Sequence, residues 1–262
     1  MAFPSSPSAA AAALAVAETR AWVERAVIGL GLCPFARGAQ VRGRVRYACS
    51  RASGPEALLE NLGTEVEHLL VTPAAEVETT LLVHPWALGR FTDYNDFLDV
   101  AEAAVQALGG HGILQVASFH PRYRFAGLPA GDVTHMTNRA PHPVLQLLRE
   151  ASVSTGVDAW GDTDSIVEAN LATARRLGRS GWLALHAACR ADAHRALASD
   201  AGCADSWSGS SVANASSGRP EVSAVPAAVP LRPPDPRSAP QPAPEPPSAS
   251  VPLPPRRRPA PR

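Results

Sequence analysis

TTLLVHP (residues 79–85) and ILQVASFHP (113–121) decide how this chain is expected to fold. Each is a short run of β-branched and apolar residues that stops at a His-Pro pair. TTLLV, apolar or β-branched throughout, suits a strand buried on both faces. Proline holds the residue before it extended, so His84 and His120 should cap their strands. Between the two runs lies a stretch of helical length. Its stripe is Tyr94, Phe97, Leu98, Ala101, Val105 and Leu108, headed by Thr92 or Asp93 as a cap and stopped by Gly109-Gly110.

The same alternation extends to both sides. Upstream, residues 41–48 alternate Val41, Val45 and Tyr47 with Arg42, Arg44 and Arg46, a strand with one wet face. Gly54-Pro55 then opens a helix carrying Leu58, Leu62, Val66 and Leu69. Residues 9–30 form a first helix, ended by Gly29, Gly31 and Pro34. Downstream of His120 comes a long connection, residues 121–141, of the kind that is usually functional or mobile. Helices are expected over 143–150 and 163–177, the second capped by Asp162 and stopped by Gly178. Helix-length crossovers between strands imply parallel pairing. The expectation is an α/β domain over residues 9–185, with a small, mostly parallel sheet of three strands or slightly more and helices packed on it.

Residues 186–262 read as a disordered tail rich in alanine, proline and arginine. Sixteen of the 26 prolines lie between Pro220 and Pro261, and no aromatic residue follows Trp207. So little apolar bulk cannot offset the entropy of ordering. The final PLPPRRRPAPR would suit a proline-recognising protein partner.

Charge limits the function classes. Residues 1–189 hold 15 arginines against 18 acids, a net charge of −3, which argues against nucleic acid and a membrane surface as partners. All 24 basic residues are arginine, which removes Schiff-base chemistry and a P-loop lysine. The four cysteines show no Cys-x-x-Cys spacing, and reduced thiols in a cytoplasm are the simplest reading. The N-terminal apolar run has no basic residue before Arg20, so no secretory signal is expected, and no run is long enough for a membrane span. Gly29-Leu30-Gly31 follows a helix rather than a strand and is no dinucleotide fingerprint.

In an open parallel sheet the ligand crevice lies beyond the carboxyl ends of the strands. Were the two His-Pro strands adjacent, His84 and His120 would share that crevice. Each could equally be a strand-end histidine bonded to a loop carbonyl. The loop after His120 supplies Tyr123, Asn138 and Arg139, and a guanidinium there would hold a carboxylate or phosphate. Arg139 could instead pair with an acid such as Asp96. Asn95 and Asp96 stand at the head of the third helix, where capping competes with orienting a histidine. Cys33, at the end of the first helix, would be a nucleophile only if the segment 34–40 folds back to His120; otherwise it is a buried small hydrophobe. Zinc on Cys33, His84 and His120 would need the same fold-back, and no metal site is expected. The residues name no cofactor.

The motifs GLGLCPFA (29–36), ETTLLVHP (78–85), FTDYNDFLDVAE (91–102), LQVASFHPRYRFAG (114–127), TNRAPHPVLQLLREAS (137–152) and NLATARRLGRSGW (170–182) resemble a bacterial family catalogued as domain of unknown function 1415. The resemblance implies no activity. It marks Cys33, His84, Asn95, Asp96, His120, Tyr123, Asn138 and Arg139 as family positions. Arg122, Ala140 and His142 depart from the family pattern of an acid, a serine and a tyrosine, which makes them poor choices for essential roles. Together these readings favour a small-molecule enzyme acting on an anionic substrate, with His120, Cys33 and Asp96 catalytic and Arg139, Asn138, His84, Asn95 and Tyr123 binding. The alternative is a non-catalytic binding module for an anionic ligand or a protein partner.

Overall fold

The computed structural model describes residues 7–160 and 164–205. In chain order the elements are α1 (Ala9–Trp22, continued by a π-helical turn, Val23–Ile28), α2 (Ala36–Val41), β1 (Val45–Cys49), α3 (Pro55–Val71), β2 (Thr79–Val83), α4 (Phe91–Val105), β3 (Leu114–Phe119), a 3-10 segment (Val133–Asn138), β4 (Val144–Arg149), α5 (Glu150–Trp160) and α6 (Asp164–Asp205).

The fold is α/β, but its sheet is four-stranded and mixed, not three-stranded and mostly parallel. The order is β1-β2-β4-β3. β1 and β2 pair in parallel, and β4 runs antiparallel to both β2 and β3. The extra strand is VLQLLR, which sequence spacing marks as helix. Val144, Leu147 and Leu148 repeat at helical intervals, yet the chain here fills the slot between β2 and β3, where both faces are covered. Val144, Leu145, Leu147 and Leu148 are all buried. Burial in a sheet interior overrides so weak a local preference. The helix begins one residue later, at Glu150.

Side chains alternate across each strand, and the sheet therefore has two cores. On one face Leu82, Leu114, Leu145 and Leu147 meet Leu58, Leu62, Val66 and Leu69 of α3 and Phe97, Leu98 and Ala101 of α4. On the other, Leu81, Val83 and Val144 meet Trp22 and Ala26 from the first helix and Ala174, Trp182 and Cys189 of α6. All five residues of β2 are buried, as TTLLV requires.

Two helix boundaries also differ from the sequence reading. α4 starts at Phe91 with Arg90 as its N-cap and no side-chain cap; Asp93 instead sits 3.9 Å from Arg90. α6 does not stop at Gly178. That glycine adopts φ +60 and kinks the chain, and helical structure resumes to Asp205. Cys189 and Ala193 are buried, and Asp192 pairs with Arg25 of the first helix. A tail beginning at residue 186 thus starts inside a packed helix. The expectations for residues 206–262 and the Asp162 cap lie outside the described residues. Among the described residues no helix is long and apolar enough to cross a membrane.

Candidate functional site

β2 and β3 both run antiparallel to β4, so their carboxyl ends share one rim although they are not neighbours. His84 and His120 leave that rim on either side of β4, and Tyr94 of α4 sits between them. The Tyr94 ring stacks on His84 at 5.7 Å and lies 5.0 Å from His120. Its hydroxyl donates to the Val144 carbonyl at 2.7 Å and accepts the Phe119 N–H at 3.0 Å. One phenol therefore ties the end of β3 to the start of β4. In Tyr94→Phe both main-chain groups lose their partner while the ring packing stays. We expect a loss of about 2 kcal/mol in unfolding free energy by urea titration, with little change in the denaturant slope.

Both histidines are committed to the main chain. His84 Nδ1 donates to the Ala87 carbonyl at 3.2 Å, and its Nε2 is buried with no hydrogen-bond partner among the described residues. Burial pushes its pKa down to about 4. His120 Nδ1 accepts the Arg122 N–H at 2.9 Å, so its Nε2 carries the proton and donates to the Leu88 carbonyl at 3.2 Å. Burial lowers its pKa as well. His135 repeats the device, accepting from the Phe125 N–H and donating to the Pro129 carbonyl. Each ring is a staple that closes a loop. A general base needs a lone pair within reach of its proton, and both nitrogens of His120 are occupied.

The remaining family positions divide between two places. Asp96 is exposed and Asn95 half-buried on α4; neither Asp96 nor Cys33 is a partner of the His120 ring, whose nitrogens are taken by Leu88 and Arg122. Cys33 lies on the α1/α6 face of the sheet, packed with Phe35, Val153 and Ile166. It lines a cavity of about 340 Å³ together with Phe119, Thr137 and Asn138. Burial pushes its thiol up to about 11, against a smaller pull from the main-chain N–H groups of Phe35 and Ala36. The segment after the first helix does fold back, but toward Asn138 and not toward the histidines. His142, a departure from the family pattern, pairs with Glu18 at 2.6 Å.

Asn138 is buried. Its Nδ2 donates to the Ser118 carbonyl at 3.4 Å, and its own carbonyl accepts the His120 N–H. Arg139, next in the chain, belongs to a different setting. Its Nε donates to the Tyr123 carbonyl at 3.2 Å and Nη1 contacts the Met136 sulfur at 3.3 Å. Burial, then Arg124, then Arg179 all make its positive charge harder to hold. His186 of α6 is nearby. Burial lowers its pKa most, followed by Arg190 and Arg139, while the Arg139 carbonyl favours its protonated form slightly. Its Nε2 is buried without a hydrogen-bond partner among the described residues. Arg179 and His186 lie beyond Gly178, which by sequence is the natural stop of the helix, so the local stop signal does not point to them. A longer signal is present: Trp182, Cys189 and Ala193, spaced by seven and then four residues, keep one helical face beyond Gly178.

No three His, Cys, Asp or Glu side chains come together among the described residues as a metal site would require. No curated protein matches this chain, and no solved structure does. A family model matches residues 14–184, well over half of the sequence and both layers of helices on the sheet. The chain belongs to the family described as "Protein of unknown function (DUF1415)".

Proposed function

We propose that this chain is a non-catalytic binding module for a small anionic ligand, seated where the loop 121–141 meets α6. One observation carries the reading. The half-buried Arg139 guanidinium has only like-charged groups, Arg124 and Arg179, acting on its charge among the described residues. The Tyr123 carbonyl fixes its Nε, which aims the rest of the guanidinium. Its remaining N–H groups match the fork geometry of a carboxylate or phosphate. A bound anion would relieve the repulsion among the arginines and give the orphaned His186 Nε2 a partner. Catalysis is the weaker reading, because His120 has no free ring nitrogen and the Cys33 thiol is protonated at neutral pH.

Inorganic phosphate and succinate are suitable probes, tested by thermal shift and calorimetry against chloride at matched ionic strength. A ligand of the native state raises the melting temperature by mass action. We expect Arg139→Gln to weaken binding at least tenfold and Arg139→Lys to recover only part of it. Affinity should also rise as the pH falls. His186 is held neutral by burial and by Arg190 and Arg139, whereas an anion favours its charged form, so binding takes up a proton. His186→Asn should flatten that dependence. An equal response to chloride, or an unchanged response in Arg139→Gln, would overturn the proposal.

A further inference from the structure

The cavity on the α1/α6 face is a second site of different chemistry, separate from the arginine cluster. We infer that it takes a neutral, mostly apolar small molecule carrying one hydroxyl or amide group. Its volume, about 340 Å³, lies within the range of small-molecule sites. The walls are largely apolar: Trp22, Leu32, Phe35, Leu81, Phe119 and Phe125 contribute. A void of this size among packed side chains forfeits dispersion contacts that an occupant would restore.

Two of the side chains that line it, Trp22 and Glu78, each carry a buried polar atom without a hydrogen-bond partner among the described residues. Trp22 is 1 % exposed, and its indole Nε1 donates to nothing. Glu78, also more than nine-tenths buried, has an Oε2 that is ion-paired with Arg42 at 3.7 Å but accepts no hydrogen bond among the described residues. Buried polar groups are normally satisfied, and an orphan needs a reason. An occupant that accepts from the indole and donates to the carboxylate supplies one. Because Arg42 already balances the Glu78 charge, the occupant needs no net charge. Entry is marked by two apolar lining residues that remain open to solvent, Leu128 (43 % exposed) on the long loop and Val167 (39 % exposed) at the start of α6.

Cys33 lines the same cavity and serves as a built-in reporter. Purified full-length protein is treated with N-ethylmaleimide, and modification of Cys33 is followed by mass spectrometry with and without benzyl alcohol, benzamide or 1-octanol. Melting temperature is recorded in parallel. Occupancy should slow alkylation of Cys33 at least fivefold, leave the exposed-thiol control glutathione unaffected, and raise the melting temperature. Trp22→Phe keeps an aromatic side chain, though a smaller one, but removes the N–H, and should weaken the alcohols and the amide at least fivefold. Ala39→Leu, which fills the cavity from α2, should abolish both effects without lowering the melting temperature of the free protein. Should Trp22→Phe fail to fold, Ala39→Leu decides alone. The inference is overturned if none of the probes protects Cys33 or shifts melting, or if Ala39→Leu responds like the native chain.

Discussion

Replacing Arg149 with methionine should lower unfolding free energy by about 4 kcal/mol and the melting temperature by about 10 °C. Arg149 is the last residue of β4, and its guanidinium turns back onto the Leu69 and Thr72 carbonyls at the end of α3 and the Val77 carbonyl of the loop that follows. Nη2 donates to the Leu69, Thr72 and Val77 carbonyls, and Nε donates to Val77 as well. The last carbonyls of a helix have no intrahelical partner, and a cation there also offsets the negative end of the helix dipole. Hydrogen bonds to a charged group contribute about 1.5–3 kcal/mol each, less when one group makes several. Methionine keeps the apolar stem and removes all the donors. Lysine brings a charge but cannot span three carbonyls, so Arg149→Lys should fall between the two. The hydrogen-bond partners are neutral and the one charge favouring the guanidinium, Glu78, is itself buried, so the loss should depend only weakly on salt. Urea titration of the three proteins at low and high salt checks both statements. A loss under about 1 kcal/mol in Arg149→Met would show that water caps these carbonyls equally well.

Acid should destabilise the fold well above the carboxylate range. His84 has an ordinary pKa of 6.5 when exposed and about 4 when folded, because burial opposes its charged form. Between those values the unfolded chain holds a proton that the folded chain does not. Stability is therefore full above pH 6.5, is lost as pH falls from 6.5 towards 4, and changes no further from this group below that. At 1.36 kcal/mol per unit, the single histidine accounts for about 3 kcal/mol. His120 shifts in the same direction and adds to the slope. His84→Asn preserves a donor for the Ala87 carbonyl and removes the titration. The variant should lose some stability at pH 7.5 but keep more of what remains at pH 4.5. Urea midpoints across that interval measure the difference directly, and parallel curves for the two proteins would refute the assignment.

The range of an interaction decides whether local sequence carries it. TTLLV is a buried strand because β-branched and apolar residues leave it no wet face, and α3 and α4 follow from stripes at helical spacing bounded by Gly54-Pro55 and Gly109. The His-Pro pairs place His84 and His120 at strand ends, since proline acts only on its immediate neighbour; their common rim follows from the shared direction of β2 and β3, which β4 separates where adjacency was expected. The buried strand, the helices and the strand ends are local properties, and local sequence carries them.

What failed depended on partners distant in the chain. VLQLLR has a helical spacing and still became the central antiparallel strand, because the gap between β2 and β3 rewards burial on both faces. Gly178 bends the last helix without ending it, since Trp182, Cys189 and Ala193 gain a surface on the first helix to pack against. That continuation brings Arg179 and His186 to Arg139. Cys33 folds back as one alternative required, but toward Asn138 on the other face of the sheet. Composition and short-range pattern thus determined the class of fold, the helices flanking the sheet and the strand ends where the histidines lie. Tertiary packing alone decided strand order, the neutral stapling role of those histidines, the grouping of arginines around residue 139 and the cavity beside Cys33. Each of these is the outcome of burial and charge summed over segments a hundred or more residues apart in some cases, which no local spacing encodes.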